Sequence, residues 1–267
     1  MDYQMLVLDL DGTLTNSDKE ITAPTLTALL QLQERGKKVV LASGRPLQGV
    51  LPLAKELHLK DYGGYILAYN GARIVDCSNQ HIIYNRALPM DTLAPIVHIA
   101  EQYDVGILGY QDDLIISGLH ENKYSQIEAF INKTKLTYTD DFLTYISSPT
   151  NKLLVTGEPL VVASVETAMK NKFHTFLNIY RSEPFFLEIM PQKIDKAYSL
   201  QKLLNSVGLT SEQMICCGDG YNDITMIESA GLGVAMANAQ PLVKESADYI
   251  TKSNDEDGIL HVIHEFM

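Results

Sequence analysis

The sequence predicts an α/β protein in which a doubly wound parallel sheet carries a second, smaller α+β domain. Three observations predict it. Apolar runs and helical segments alternate over the first third of the chain, and the same alternation resumes over the last third. The stretch between them, roughly Tyr84 to Pro184, follows a different rhythm and is long enough for a core of its own. Alternating strands and helices are the signature of parallel strands joined by right-handed crossovers. At 267 residues the chain exceeds the commonest domain size, which fits two domains. The expected division is 1–83 with 185–267 for the sheet domain and 84–184 for the insert.

Met5-Leu6-Val7-Leu8 is the first apolar run and reads as a buried strand. It leads into Asp9-Leu10-Asp11-Gly12-Thr13-Leu14, where Gly12 permits a sharp turn. Residues i and i+2 of an extended strand share a face, so this spacing aims Asp9 and Asp11 together. Thr22 as N-cap and Pro24 in the first turn start a helix that Gly36 stops. Lys38–Ala42 is the second strand, ending at Ser43-Gly44-Arg45. A helix over Pro46–Leu57 and a strand over Tyr65–Ala68, ending at Asn70-Gly71, complete the first third.

In the insert, Pro89–Tyr103, Tyr124–Lys133 and Val161–Lys172 read as helices. Val105–Leu108, Leu114–Ser117 and Lys152–Thr156 read as strands, with Tyr110 and the Asp112-Asp113 pair on a hairpin, and Phe185–Met190, after Pro184, reads as a further strand. Asp195 then caps a helix over Lys196–Val207 that Gly208 stops. Met214–Cys217 is a strand running into Gly218-Asp219-Gly220-Tyr221-Asn222-Asp223, and a helix follows over Ile224–Ala230. Gly233–Met236 and Tyr249–Thr251 are short strands, and a helix after Asp257 closes the chain.

Composition excludes several functions. Asp plus Glu outnumber Lys plus Arg by 33 to 21, a net charge of −12, so there is no basic face for nucleic acid or for an anionic membrane. A small anionic substrate is compatible with that balance, because a metal and local cations can dominate the field of one pocket. Cys77, Cys216 and Cys217 offer no disulfide framework and suit a reducing compartment. The N-terminus lacks the basic flank and apolar stretch of a signal peptide, and no run approaches a spanning helix. The expectation is a cytoplasmic protein, a monomer or weak homo-oligomer, with no nucleic-acid or membrane partner.

Asp9, Ser43, Asn70 and Asp219 each follow an apolar strand run, and ligands of open parallel sheets bind beyond the carboxyl ends of the strands. The four residues should therefore converge. Asp219 and Asp223, four apart, add a second carboxylate pair to Asp9 and Asp11, which makes a site rich in oxygen and free of sulfur. Such a donor set favours Mg²⁺. Lys196 at a helix start and Ser43 at a strand end add a cation and a hydroxyl suited to phosphoryl oxygens. Each motif alone is more simply a turn, a cap or a solvated residue, and only their joint placement points to chemistry. The seven histidines show no zinc spacing, and Cys216-Cys217 read as strand core.

These segments resemble the haloacid dehalogenase superfamily of phosphotransferases. Asp9–Leu14, Ala42–Arg45, Lys196 and Gly218–Asp223 are similar to its four motifs, in order. An insert between the second and third motifs resembles the Cof-like subgroup, whose α/β cap lies there on a Rossmann-like core. Ala197 departs from the glycine usual in that subgroup. The resemblance implies a Mg²⁺-dependent phosphomonoesterase acting on a small phosphorylated metabolite, a sugar phosphate. Asp9 would be the nucleophile and form an aspartyl-phosphate, and Asp11 the acid and base. Ser43 and Lys196 would hold the phosphoryl oxygens, with Gly12, Gly44, Arg45, Asn70 and Asn222 on the substrate side. Asp9, Asp11, Asp219 and Asp223 would form the metal site, Asp11 through its backbone carbonyl and Asp223 from behind. A phosphomutase or other phosphotransferase using the same intermediate, and a sensor of a phosphorylated ligand, are the alternatives.

Overall fold

The computed structural model describes residues 2–111, 114–146 and 148–267, so the Asp112-Asp113 pair lies outside the described residues. The chain divides into two compact units, residues 1–84 with 194–267 and residues 85–193.

The first unit opens with five strands: β1 (Met5–Leu8), β2 (Lys38–Ala42), β3 (Tyr65–Ala68), β4 (Arg73–Asp76) and β5 (Ile82–Asn85), whose last residue reaches into the second unit. β1 and β2 are fully apolar runs because both of their faces are covered. Met5 and Val7 pack with Leu200, Leu203 and Leu204 of the helix Lys196–Val207, while Leu6 and Leu8, pointing the other way, are equally buried. The helix Ala23–Glu34 forms where expected, with the Thr22 hydroxyl accepting from the Thr25 amide, and it packs beside the terminal helix Gly258–Phe266. Pro46 precedes the helix Leu47–Glu56 as its cap rather than lying inside it. β4 buries only Ile74 and Val75 between polar ends and β5 buries none of its residues, which is why their sequence did not stand out.

The second unit contains β6 (Gly106–Gln111), β7 (Leu114–Leu119), β8 (Lys135–Tyr138), β9 (Leu153–Thr156), β10 (Leu177–Glu183) and β11 (Phe186–Pro191) in one sheet of order β10-β11-β9-β6-β7-β8. The helices Met90–Ala100 and Pro159–Phe173 supply much of its core, Ile96 and Val97 from the first and Val162, Val165 and Met169 from the second. One boundary moves. β11 was expected to open the second half of the sheet domain, with the division at 184/185, but it pairs antiparallel with β10 and β9 and belongs to the second unit. Pro184 marks the hairpin between β10 and β11, not a domain edge.

Back in the first unit, β12 (Met214–Gly218), β13 (Leu232–Ala235) and β14 (Tyr249–Ile250) complete a sheet of order β14-β13-β12-β1-β2-β3-β4-β5. The pairs from β14 through β3 are parallel, and β4 returns antiparallel beside β3. β1 therefore sits between β12 and β2, so the carboxyl ends of three strands that carry candidate residues are neighbours. No helix among the described residues is long and apolar enough to cross a membrane.

Candidate active site

Asp9 is the first residue beyond β1 and is 7% exposed. Its amide donates to the Cys217 carbonyl at 3.0 Å and its carbonyl accepts from the Leu14 amide at 3.2 Å, so the strand end is pinned to β12 and to the following turn. Lys196 Nζ reaches the Asp9 Oδ1 atom at 2.6 Å from the first residue of its helix. That helix starts there because Asp195 caps it, accepting from the Tyr198 amide at 2.8 Å. The ammonium has no solvent exposure, and its remaining bonds go to Asp223 Oδ1 at 2.6 Å and the Ala42 carbonyl at 2.8 Å. Three acceptors thus match its three protons. Lys196, expected to meet phosphoryl oxygens, here bridges two carboxylates.

Asp223 is fully buried, and its other oxygen, Oδ2, accepts from the Asp219 and Gly220 amides at 3.0 and 2.9 Å. A Cβ at Gly218 would run into the Asp223 side chain, which explains one glycine of that motif. Asp219 Oδ1 accepts from the Thr13 hydroxyl at 2.9 Å. Gly12 has φ +83°, and a Cβ there would strike the Asp219 carboxylate, so conformation and space both demand glycine. Asp9, Asp219 and Asp223 each bring an oxygen within 4.8 Å of the others.

Charge follows from this crowding. Burial, then the neighbouring Asp223 charge, push the Asp9 carboxyl well above the usual carboxylate range against the pull of Lys196. Burial also pushes Asp219 up to about 6, with the Thr13 hydroxyl opposing it and Asp223 adding to it. Burial alone would lower Lys196, but Asp223 and Asp9 outweigh it and hold the ammonium charged.

Asp11 departs from expectation. β1 ends at Leu8 and the chain turns, so Asp9 and Asp11 are not successive same-face residues of one strand and their carboxylates take different partners. Asp11 receives Arg45 Nε on Oδ2 at 2.8 Å and Arg45 Nη2 on Oδ1 at 2.6 Å, with Lys19 Nζ at 2.9 Å. Burial raises its carboxyl, but Arg45 and Lys19 outweigh that and lower it. Arg45, expected on the substrate side, is instead bound to Asp11.

Ser43 and Asn70 converge as expected. The Ser43 amide donates to the Leu67 carbonyl and the Asn70 amide to the Ser43 carbonyl, both at 2.9 Å. Ser43 Oγ accepts from the Arg45 amide at 3.1 Å, which leaves its own proton to donate. Asn70 is left-handed at φ 52°, and its Oδ1 accepts from Asn222 Nδ2 at 3.0 Å. A Cβ at Gly44 would meet that Asn70 oxygen at 3.1 Å. Thr13, Lys19 and Asn238, whose Nδ2 donates to the Gly12 carbonyl at 2.8 Å, were not singled out from sequence. The strand-end rule would have found Asn238, just beyond β13, whereas nothing marked Lys19, which acts from a turn.

The family model of haloacid dehalogenase-like hydrolases matches residues 6–263. A haloacid dehalogenase-like hydrolase from Bacteroides thetaiotaomicron is 45% identical and superposes with a TM-score of 0.97 over 99% of this chain and 100% of that one. A Thermotoga maritima protein is 29% identical with a TM-score of 0.89, covering 99% and 98%. The 5-amino-6-(5-phospho-D-ribitylamino)uracil phosphatase YcsE of Bacillus subtilis is 30% identical over 267 residues, 100% of this chain and 97% of the relative.

Proposed function

The chain belongs to the haloacid dehalogenase-like hydrolases and is a phosphatase, and from that premise we propose that it hydrolyses a small soluble sugar phosphate through an aspartyl-phosphate on Asp9, with Mg²⁺ as cofactor. The observation that carries this reading is Asp9 itself, a buried carboxylate at the end of β1, held by Lys196 Nζ at 2.6 Å and faced by Asp219 and Asp223. The relative whose name specifies a phosphate on a ribityl chain supports the substrate class.

The donor set fits Mg²⁺. Asp9, Asp219 and Asp223 crowd around one ammonium, so the pocket holds more negative than positive charge, and every donor is a hard oxygen. The Asp9 carboxylate, the Asp11 carbonyl and Asp219 would hold the ion. Asp223, with both oxygens already accepting, orients Lys196 and the Asp219 loop instead of serving as a ligand. When bound, the ion screens the anionic nucleophile from the anionic phosphate.

One Asp9 oxygen attacks phosphorus in line, forming the O–P bond as the bond to the ester oxygen breaks. In its protonated form Asp11 gives that oxygen its proton, and the carboxylate left behind, the form that Arg45 and Lys19 favour, then takes one from the water that attacks the aspartyl-phosphate, releasing phosphate and restoring Asp9. The Ser43 hydroxyl, whose proton is uncommitted, donates to a phosphoryl oxygen as charge redistributes. The second unit, with its own sheet and core, is the cap that selects the substrate.

The test is phosphate release from p-nitrophenyl phosphate and a panel of sugar phosphates, with Mg²⁺, with EDTA, and with Asp9→Asn. Turnover should vanish in EDTA and in the variant. Release that survives Asp9→Asn overturns the aspartyl route, and isomerisation without net release points to transfer onto a second hydroxyl.

A further inference from the structure

We propose that Arg45 is the positioning residue of the proton shuttle: its guanidinium fork, seated on the Gly49 carbonyl, sets where the Asp11 carboxylate points. The inference rests on the acid and base role given to Asp11 above.

Three guanidinium nitrogens are engaged at once. Nε and Nη2 take the two oxygens of Asp11 at 2.8 and 2.6 Å, and Nη1 donates to the Gly49 carbonyl at 3.2 Å. Two parallel bonds from a planar fork restrict a carboxylate in rotation as well as in position, which a single ammonium cannot do. The fork is itself held at its base. The Arg45 amide donates to Ser43 Oγ at 3.1 Å, and its carbonyl accepts from the Tyr69 amide at 3.0 Å, so the residue is tied to the ends of β2 and β3. Its side chain is 12% exposed.

Lys19 touches the same carboxylate from a weaker station. It sits in a turn closed by Asn16, whose Oδ1 accepts from the Asp18 and Glu20 amides, and its side chain is 54% exposed. Water competes with such a pair, so Lys19 supplements the grip without setting it. Asp11 needs this grip from outside because it lies beyond the last residue of β1, where a single bridge to Thr15 pairs its backbone.

The experiment compares kcat/KM for p-nitrophenyl phosphate, whose leaving oxygen needs little protonation, with kcat/KM for phenyl phosphate, whose leaving oxygen needs more. It is run on wild type, Asp11→Asn, Arg45→Gln and Arg45→Lys, with inhibition by inorganic phosphate and thermal unfolding recorded for each. Expected is a loss on phenyl phosphate about tenfold or more beyond that on p-nitrophenyl phosphate in Asp11→Asn, repeated in Arg45→Gln and reduced in Arg45→Lys, with phosphate inhibition unchanged. Equal losses on both esters in the Arg45 variants, or phosphate inhibition weakening in step with them, overturn the proposal and make Arg45 a structural or phosphate-contacting residue. An Asp11→Asn variant without the split overturns the Asp11 reading itself, which separates that failure from a failure of the Arg45 assignment.

Discussion

Lys196 in the first unit and Lys152 in the second are both buried ammonium groups set among carboxylates, and they differ in how much negative charge each must answer. Lys152 contacts Glu188 at 3.1 Å and lies 5.1 Å from the centre of the Tyr110 ring. Ser182 donates to Glu188 at 3.0 Å, and the nearby Glu128 is met by the Tyr110 hydroxyl at 2.6 Å. Hydroxyls and an aromatic face thus share the load in the second unit. Around Lys196, Asp9, Asp219 and Asp223 crowd together, and the Asp219 carboxylate takes a threonine hydroxyl where Glu188 takes an ammonium. Burial of a charge is common to both clusters and so does not mark a catalytic site. Surplus charge at a strand end does.

The sharpest way to break this comparison is to remove each ammonium. Lys196→Met should lower turnover of p-nitrophenyl phosphate by at least about 10³-fold, because Asp9 and Asp223 lose the ammonium that bridges them and the nucleophile its position. Lys152→Met should act on stability instead, costing about 3–5 kcal/mol by leaving Glu188 buried without its cation, while kcat stays within a few-fold. Adding Glu188→Leu should restore much of the lost stability. Urea unfolding beside the phosphatase assay reads both. A Lys152 variant of normal stability that has lost turnover would end the distinction between the two clusters.

The second expected effect concerns the surplus directly. Asp219 is raised to about 6, so the folded, metal-free protein keeps a proton there that the unfolded chain has already released from its ordinary carboxyl. Between about pH 4 and pH 6 the folded state therefore binds more protons than the unfolded one, and this group's contribution falls as pH rises through that window. A divalent cation replaces the missing proton. Mg²⁺ should raise Tm by several degrees at about pH 7.5 and by clearly less at about pH 5, and Asp219→Asn should shrink the difference. An equal Mg²⁺ shift at both pH values would show that the ion binds elsewhere.

How much of this was legible in the sequence differs in the same way between the units. β1, β2, β3 and β12 read correctly because strands covered on both faces are continuous apolar runs, and the polar residue that ends each run is conspicuous. Asp9, Ser43, Asn70 and Asp219 were found by that rule alone. β8 and β10 were missed because exposed residues such as Lys135, Asn178 and Arg181 dilute their pattern. Within the site, the rule of shared faces failed at Asp11, since it holds only while the strand continues. The partner of a charged residue beyond a strand end is set by turns, and Lys19 and Arg45 reach Asp11 from two different ones.

A third lysine gives the smallest expected effect and tests whether burial scales the contribution of a cation. Lys19 is more than half exposed and shares Asp11 with the better-placed Arg45. Its ion pair should contribute less than about 1 kcal/mol, and screening should weaken it further as salt rises. Lys19→Ala should therefore change kcat/KM for phenyl phosphate by no more than about threefold, and the difference from wild type should fade in about 0.5 M salt. A loss as large as that of Arg45→Gln would place Lys19 beside Arg45 in directing Asp11, and exposure would then no longer rank the lysines of this protein.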